Sequence, residues 1–145
     1  MALTGTYERS LDEKCRLAVP KRLREQFTKQ KLKSLYVAPG TEKSLALYSP
    51  EAFDSLAKRL SEQPGNPAKI RNYLRLFYAR AEHVDLDGQG RIRIPERLAE
   101  FAALQRDVVL LGVHDHAELW DAALWNGFLE QHNSDFDDIA GQAFE

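Results

Sequence analysis

A chain of 145 residues is one domain or two small ones, and its apolar runs, of which residues 108–111 (VVLL) are typical, fall far short of the roughly 20 residues that span a bilayer. The opening MALTGTYERS lacks the apolar stretch of a secretory signal, and a single cysteine excludes an intramolecular disulfide framework and fits a reducing cytoplasm. The net charge of −2 conceals an asymmetry: residues 1–80 carry 16 Lys+Arg against 8 Asp+Glu, a balance of +8, and residues 81–145 carry 4 against 14, a balance of −10. Such a division points to a polyanion partner for the basic half, to attraction between halves or between subunits, or to both.

In chain order, residues 5–11 and 17–20 have strand-like composition around a short polar stretch, which predicts a hairpin-like turn. Pro20 donates no ladder hydrogen bond and suits the first position of a helix expected over residues 21–26. Strands are expected at 34–40 and 44–48, and Ser49-Pro50-Glu51 opens a helix with an apolar stripe of Ala52, Phe53, Leu56 and Leu60. The run Gln63-Pro64-Gly65-Asn66-Pro67 is the clearest break, after which Asn66 caps a helix to about Arg80, read as a connector with solvated charges. Strands at 83–86, 91–94, 108–113 and 117–120 and helices at 95–102 and 122–132 follow. This gives a first half (1–63), a connecting helix (64–80), a second half (81–132) and an acidic C-terminal tail (133–145), flexible or docked on a neighbour.

The halves are related. Residues 11–25 (LDEKCRLAVPKRLRE) return as 86–100 (LDGQGRIRIPERLAE), with identity at seven of fifteen positions and no gap at an offset of 75. What recurs is Asp-x-x-x-Arg, alternating apolar residues, Pro and a short amphipathic run, a structural unit rather than a composition bias. The second turn, Asp87-Gly88-Gln89-Gly90, is rich in residues that tolerate positive φ, whereas Cys15 stands where the second copy has Gly90. A left-handed backbone at Cys15 costs roughly 1–2 kcal/mol, so the first turn is expected to be the looser of the two.

The Asp-x-x-Gly-Arg-apolar-x-apolar-Pro motif, complete at Asp87–Pro95 and repeated 75 residues earlier at Asp12–Pro20 with Cys15 in place of Gly, resembles the MraZ family, and the likeness extends to Gly5 and to the Leu-Trp-Asp stretch at 119–121. The resemblance implies an α+β fold made of tandem duplicated AbrB/MazE-like swapped-hairpin half-barrels with short helices, related by a pseudo-twofold. It also implies a bacterial DNA-binding transcriptional regulator, cytoplasmic and nucleoid-associated, that assembles as a ring-shaped homo-oligomer on short repeats ahead of the cell-division and cell-wall gene cluster.

Among individual residues, Arg16 is the foremost candidate for DNA contact, with Lys14 two positions earlier and so on the same face if the backbone is extended. Arg reads phosphate or the O6/N7 edge of guanine bidentately, and a two-stranded ribbon fits the major groove. Arg91 is its counterpart in the acidic half, where pairing with Asp87 competes equally with DNA contact; Arg9 and Lys21 are second-rank candidates, and so are Arg22, which recurs as Arg97, and Arg24. Asp12 and Asp87 are assigned, with Gly90, to structuring the turns, since a short carboxylate accepts backbone N–H bonds there. No phosphate-cradling, zinc-protease or nucleophile-elbow motif is present, so neither enzymatic activity nor a cofactor is expected. His114-Asp115-His116 lacks the further ligands zinc needs and reads as a loop, and Cys15 has no resolving partner for redox sensing. The competing class is an antitoxin-like protein-binding module built on the same hairpin, with the tail as its contact.

Overall fold

The computed structural model describes residues 2–144. The first half runs β1 (Thr6–Ser10), β2 (Arg16–Ala18), α1 (Lys21–Phe27), β3 (Ser34–Pro39), β4 (Leu45–Tyr48) and α2 (Pro50–Ser61). After α3 (Pro67–Arg80) the order repeats as β5 (Glu82–Asp85), β6 (Arg91–Arg93), α4 (Glu96–Phe101), β7 (Asp107–Gly112), β8 (Ala117–Asp121) and α5 (Ala122–His132). In the acidic C-terminal stretch a 3-10 turn at Asn133–Asp135 leads into α6 (Phe136–Ala143), whose first turn carries Asp137 and Asp138 where the helix dipole favours them.

The expected helix starts follow from their caps, with one difference. Ser49 Oγ accepts from the Ala52 N–H at 3.2 Å and Asn66 Oδ1 from Ala68 and Lys69, so Pro50 and Pro67 occupy the first helical turn where no N–H is missed. Pro20 and Pro95 instead stand just outside their helices, because ψ of 141° and 139° keeps them extended. Their carbonyls still accept the first helical bonds, from Arg24 at 3.0 Å and from Ala99 at 2.9 Å.

The strands of each predicted hairpin do not ladder with each other. Thr6–Ser10 pairs antiparallel with β7, β5 pairs with β3, and β2 pairs with β6 in a separate two-stranded ladder. The main sheet therefore runs β1-β7-β8-β4-β3-β5, and exchanging the halves maps this order onto itself. The result is an α+β molecule in which two swapped, pseudo-symmetric units share one sheet and one core.

That core lies between the sheet and the β2–β6 ladder with α1 and α4: Leu17, Leu23, Leu35, Val37, Leu45, Leu47, Ile92, Ile94, Leu98, Val108, Leu110 and Leu119 are almost wholly buried. On the opposite sheet face, Phe53, Leu56 and Phe77 from α2 and α3 cover Ala38, Ala46 and Tyr48. Trp125 and Phe128 of α5 cover Val109, Leu111 and Trp120 in the second half. Neither half could bury its strands alone, because each edge of the shared sheet is completed by the other half's strand.

Candidate nucleic-acid interface

The β2–β6 ladder buries Leu17 and Ile92 and turns the alternate residues outward. Its register sets Arg16 opposite Arg93 and Ala18 opposite Arg91, so three guanidiniums share one outer face. Two further bonds extend the pairing symmetrically: Val19 N–H donates to the Gly90 carbonyl at 3.0 Å and Ile94 N–H to the Cys15 carbonyl at 2.9 Å.

Each turn is organised by its aspartate. Asp12 Oδ1 accepts from the backbone N–H of Lys14 and of Arg16, both at 2.9 Å, while Oδ2 meets Arg16 Nε at 2.6 Å. Asp87 repeats this with Gln89 N–H and Arg91 N–H at 2.9 Å and Arg91 Nε at 2.8 Å. In each case the arginine's backbone N–H, aided by its guanidinium and by the N–H two residues after the aspartate, holds the carboxyl below its usual range against the opposing effect of desolvation. An Arg91 Nη also lies 4.0 Å from Asp12 Oδ2, so the two Asp-Arg units touch across the ladder.

The first turn is as tight as the second, contrary to the expectation from Cys15. Cys15 adopts φ 59° and Gly90 φ 76°, with Cys15 N–H to the Asp12 carbonyl at 2.9 Å and Gly90 N–H to the Asp87 carbonyl at 3.0 Å. The difference between the copies is absorbed by their neighbours. A side chain at Gly90 would come within 2.9 Å of the Arg24 guanidinium, whereas the residue equivalent to Arg24 beside Cys15 is Ala99, and the partly buried thiol occupies the space this leaves. Burial, assisted by Asp12 and opposed by Arg93, pushes the thiol pKa up, away from a reactive thiolate.

The other sequence candidates are placed differently from one another. Lys14 lies in the turn and not on an extended strand, because the left-handed Cys15 intervenes, so the pairing of Lys14 with Arg16 on one strand face does not hold. Arg9 donates to the Glu8 carbonyl at 2.7 Å and sits over the Tyr7 ring. Lys21, exposed at the start of α1, is 4.0 Å from Glu25 and lies beside the second turn. Arg93 was not among the sequence candidates, although the same alternation argument, applied to Arg91-Ile92-Arg93, identifies it.

His114, Asp115 and His116 form the β7–β8 loop. His116 Nδ1 lies 2.7 Å from Asp115 and Nε2 3.7 Å from Glu118, with the ring stacked on Tyr48, and Asp115 also pairs with Arg59 at 2.9 Å. Among the described residues no three His, Cys, Asp or Glu side chains converge to hold a metal ion, and no helix is long and apolar enough to cross a membrane.

Comparison with known proteins agrees with this architecture. The family model described as "MraZ protein, putative antitoxin-like" matches twice, over residues 2–76 and 77–145. The chain is 35% identical over 135 residues to the transcriptional regulator MraZ of Salinispora arenicola, covering 93% of this chain and 92% of the relative. It is 32% identical over 136 residues to the transcriptional regulator MraZ of Syntrophomonas wolfei and 36% identical over 136 residues to that of Pediococcus pentosaceus, in each case covering 94% of this chain and 92% of the relative. With a swapped unit built twice on the Asp-Arg turn and the family matched along both halves, the chain belongs to the MraZ family.

Proposed function

We propose that the protein is a sequence-specific DNA-binding transcriptional regulator that engages short direct repeats upstream of the cell-division and cell-wall gene cluster as a ring-shaped homo-oligomer. The observation that carries this reading is the outer face of the ladder, where Arg16, Arg91 and Arg93 project from a two-stranded ribbon and the first two are aimed by Asp12 and Asp87. A ribbon of this width enters the major groove, and fixed guanidinium forks suit guanine edges or phosphates. Lys14, Arg9 and Lys21 would add backbone contacts that position the protein without reading sequence. In this reading the two halves, residues 1–63 and 81–132, act as one reading unit, and the protein resides with the nucleoid in the cytoplasm.

Oligomerisation is supported by apolar side chains left uncovered on two helices of opposite charge. Tyr73 and Leu76 are 48% and 55% exposed on basic α3, and Phe136 and Ile139 are 74% and 42% exposed on acidic α6. The same α6 surface favours the antitoxin-like alternative, in which it covers a different protein. Fluorescence anisotropy of wild type and Arg16→Ala on a duplex with several short direct repeats and on a scrambled duplex, at two salt concentrations, tests the main reading. A decrease of roughly 5- to 150-fold in selective affinity for a still-oligomeric Arg16→Ala is expected, from the roughly 1–3 kcal/mol of a good bidentate contact. No binding by wild type, together with a stoichiometric partner that no longer associates after truncation before Asn133, would favour the alternative.

A further inference from the structure

The strand exchange reverses the electrostatic surroundings that the sequence assigns to the two turns. Val19 is bonded to Gly90, so the chain leaving β2 enters α1 beside the second turn, and Leu86 N–H donates to the Lys33 carbonyl at 2.9 Å to tie the segment after α1 to the same place. The turn encoded in the acidic half is therefore flanked by the most basic stretch of the molecule. An open cleft of about 590 Å³ lies there, walled by Lys21, Arg24, Lys29, Lys31 and Lys33 with only Glu25 and Asp87 as acids. The first turn faces α4 instead, and its cleft sets Lys14 and Arg93 against Glu13, Glu96 and Glu100.

The charge in the second cleft is uncompensated. Both oxygens of Asp87 are engaged by Gln89 and Arg91, and Glu25 has Lys21 at 4.0 Å. Arg24, Lys29, Lys31 and Lys33 take part in no ion pair among the described residues, and the buried Nε of Arg24 has no hydrogen-bond acceptor. An unpaired, partly desolvated guanidinium beside three exposed ammonium groups is arranged for an anion with several oxygens. No aromatic side chain lines the cleft to stack a base, and lysines act on phosphate as point charges.

We infer that this cleft is the principal backbone-phosphate grip of the molecule, so that the second turn and not the first anchors the DNA, with Arg24, Lys29, Lys31 and Lys33 of the first half holding phosphates next to Arg91. The inference rests on the DNA-binding reading above and adds to it the residues and the turn that dominate affinity. Phosphate contacts of this kind set affinity and salt dependence, while the ladder arginines keep sequence discrimination.

The test uses the full chain with Lys29→Gln, Lys31→Gln and Lys33→Gln combined, all three being exposed positions, and a charge-matched control with Lys43→Gln, Lys58→Gln and Lys69→Gln. Binding to repeat and scrambled duplexes is measured from low to physiological salt, and inorganic pyrophosphate binding by calorimetry. The cleft variant is expected to flatten the log–log salt slope by about 0.9 for each phosphate it no longer neutralises, roughly two to three in all, with an unchanged preference for the repeat duplex and the control slope near wild type. A wild-type slope in the cleft variant, or an equal flattening in the control, would overturn the inference while leaving DNA binding intact. Micromolar pyrophosphate binding that is abolished in the cleft variant, with the DNA slope unaltered, would overturn it in favour of a small phosphorylated ligand. Absence of wild-type DNA binding would remove both the inference and the reading beneath it.

Discussion

Replacing Gly90 by alanine probes whether the second turn depends on close approach to Arg24 as well as on its backbone conformation. Gly90 has φ 76°, where an alanine costs about 1–2 kcal/mol, less the roughly 0.4–1 kcal/mol gained from a stiffer unfolded chain. The new Cβ would also stand 2.9 Å from the Arg24 guanidinium, and displacing a packed group adds on the order of 1–3 kcal/mol. Gly90→Ala is thus expected to destabilise by about 2–3 kcal/mol, lowering Tm by roughly 4–12 °C for a chain of this size. Gly88→Ala is the control, because its φ is not positive and a Cβ there meets nothing within 4 Å; its effect should stay within about 0.5 kcal/mol. Arg24→Ala reproduces at the second turn the small neighbour that Cys15 has in Ala99, so Gly90→Ala with Arg24→Ala should cost about 1 kcal/mol less than the two single changes summed. Urea denaturation of the four proteins measures the cycle, with equal m-values required. A Gly90→Ala cost below about 0.5 kcal/mol, or strict additivity, would refute the argument.

Asp121 is buried at the start of α5, accepting from Gln105 N–H at 2.9 Å and from Ala123 N–H at 3.2 Å; Asp121→Ala should cost about 1–3 kcal/mol in urea denaturation, and Asp121→Asn clearly less. His116 provides a pH test. Burial opposes its charge, but Glu118 and Asp115 outweigh burial and raise its pKa above 6.5, with Tyr48 stacked on the ring and Arg59 reaching it only through Asp115. A raised folded pKa contributes stability fully below the unfolded value and loses it as pH rises through the folded one. Unfolding free energy should therefore fall more in wild type than in His116→Gln as pH rises from below the ordinary value of 6.5 through the raised folded one, and equal pH profiles would refute the assignment.

What was legible in the sequence divides along a physical line. Local signals were sufficient for the elements: Ser49-Pro50 and Asn66-Pro67 cap as their side chains require, and the Asp-Arg turns follow from carboxylates with backbone N–H groups two and four residues ahead. Strand partners were not local. Nothing in Thr6–Ser10 itself selects β7 over β2, because pairing is decided by which arrangement buries Leu17 and Ile92 together, and the swap was expected only through the family resemblance. The helix at Phe136–Ala143 is readable from Phe136, Ile139 and Ala143 spaced by three and four, with Asp137 and Asp138 in its first turn, a pattern that the reading of the stretch as an acidic tail does not use.

The same distinction explains how duplication and charge divergence fit together. In an unswapped tandem each turn would lie beside its own helix, and the basic half would carry both the turn and its phosphate contacts. In the swapped molecule the helix that follows each Pro belongs spatially to the other copy's turn, as the Val19–Gly90 and Ile94–Cys15 bonds require. Divergence at one position of the repeat is then compensated at a position in the other copy. Arg24 in the first half accompanies Gly90 in the second, and Ala99 in the second accompanies Cys15 in the first. On the DNA-binding reading proposed above, the balance of +8 in residues 1–80 and −10 in residues 81–145 is accordingly not a division between a binding half and a non-binding half. It places basic side chains around one Asp-Arg turn and acidic ones around the other, so a ribbon that is nearly symmetric in backbone is polar in charge along its length. On the DNA-binding reading proposed above, such a ribbon would have one preferred orientation on a phosphate backbone, which would suit direct, not inverted, repeats.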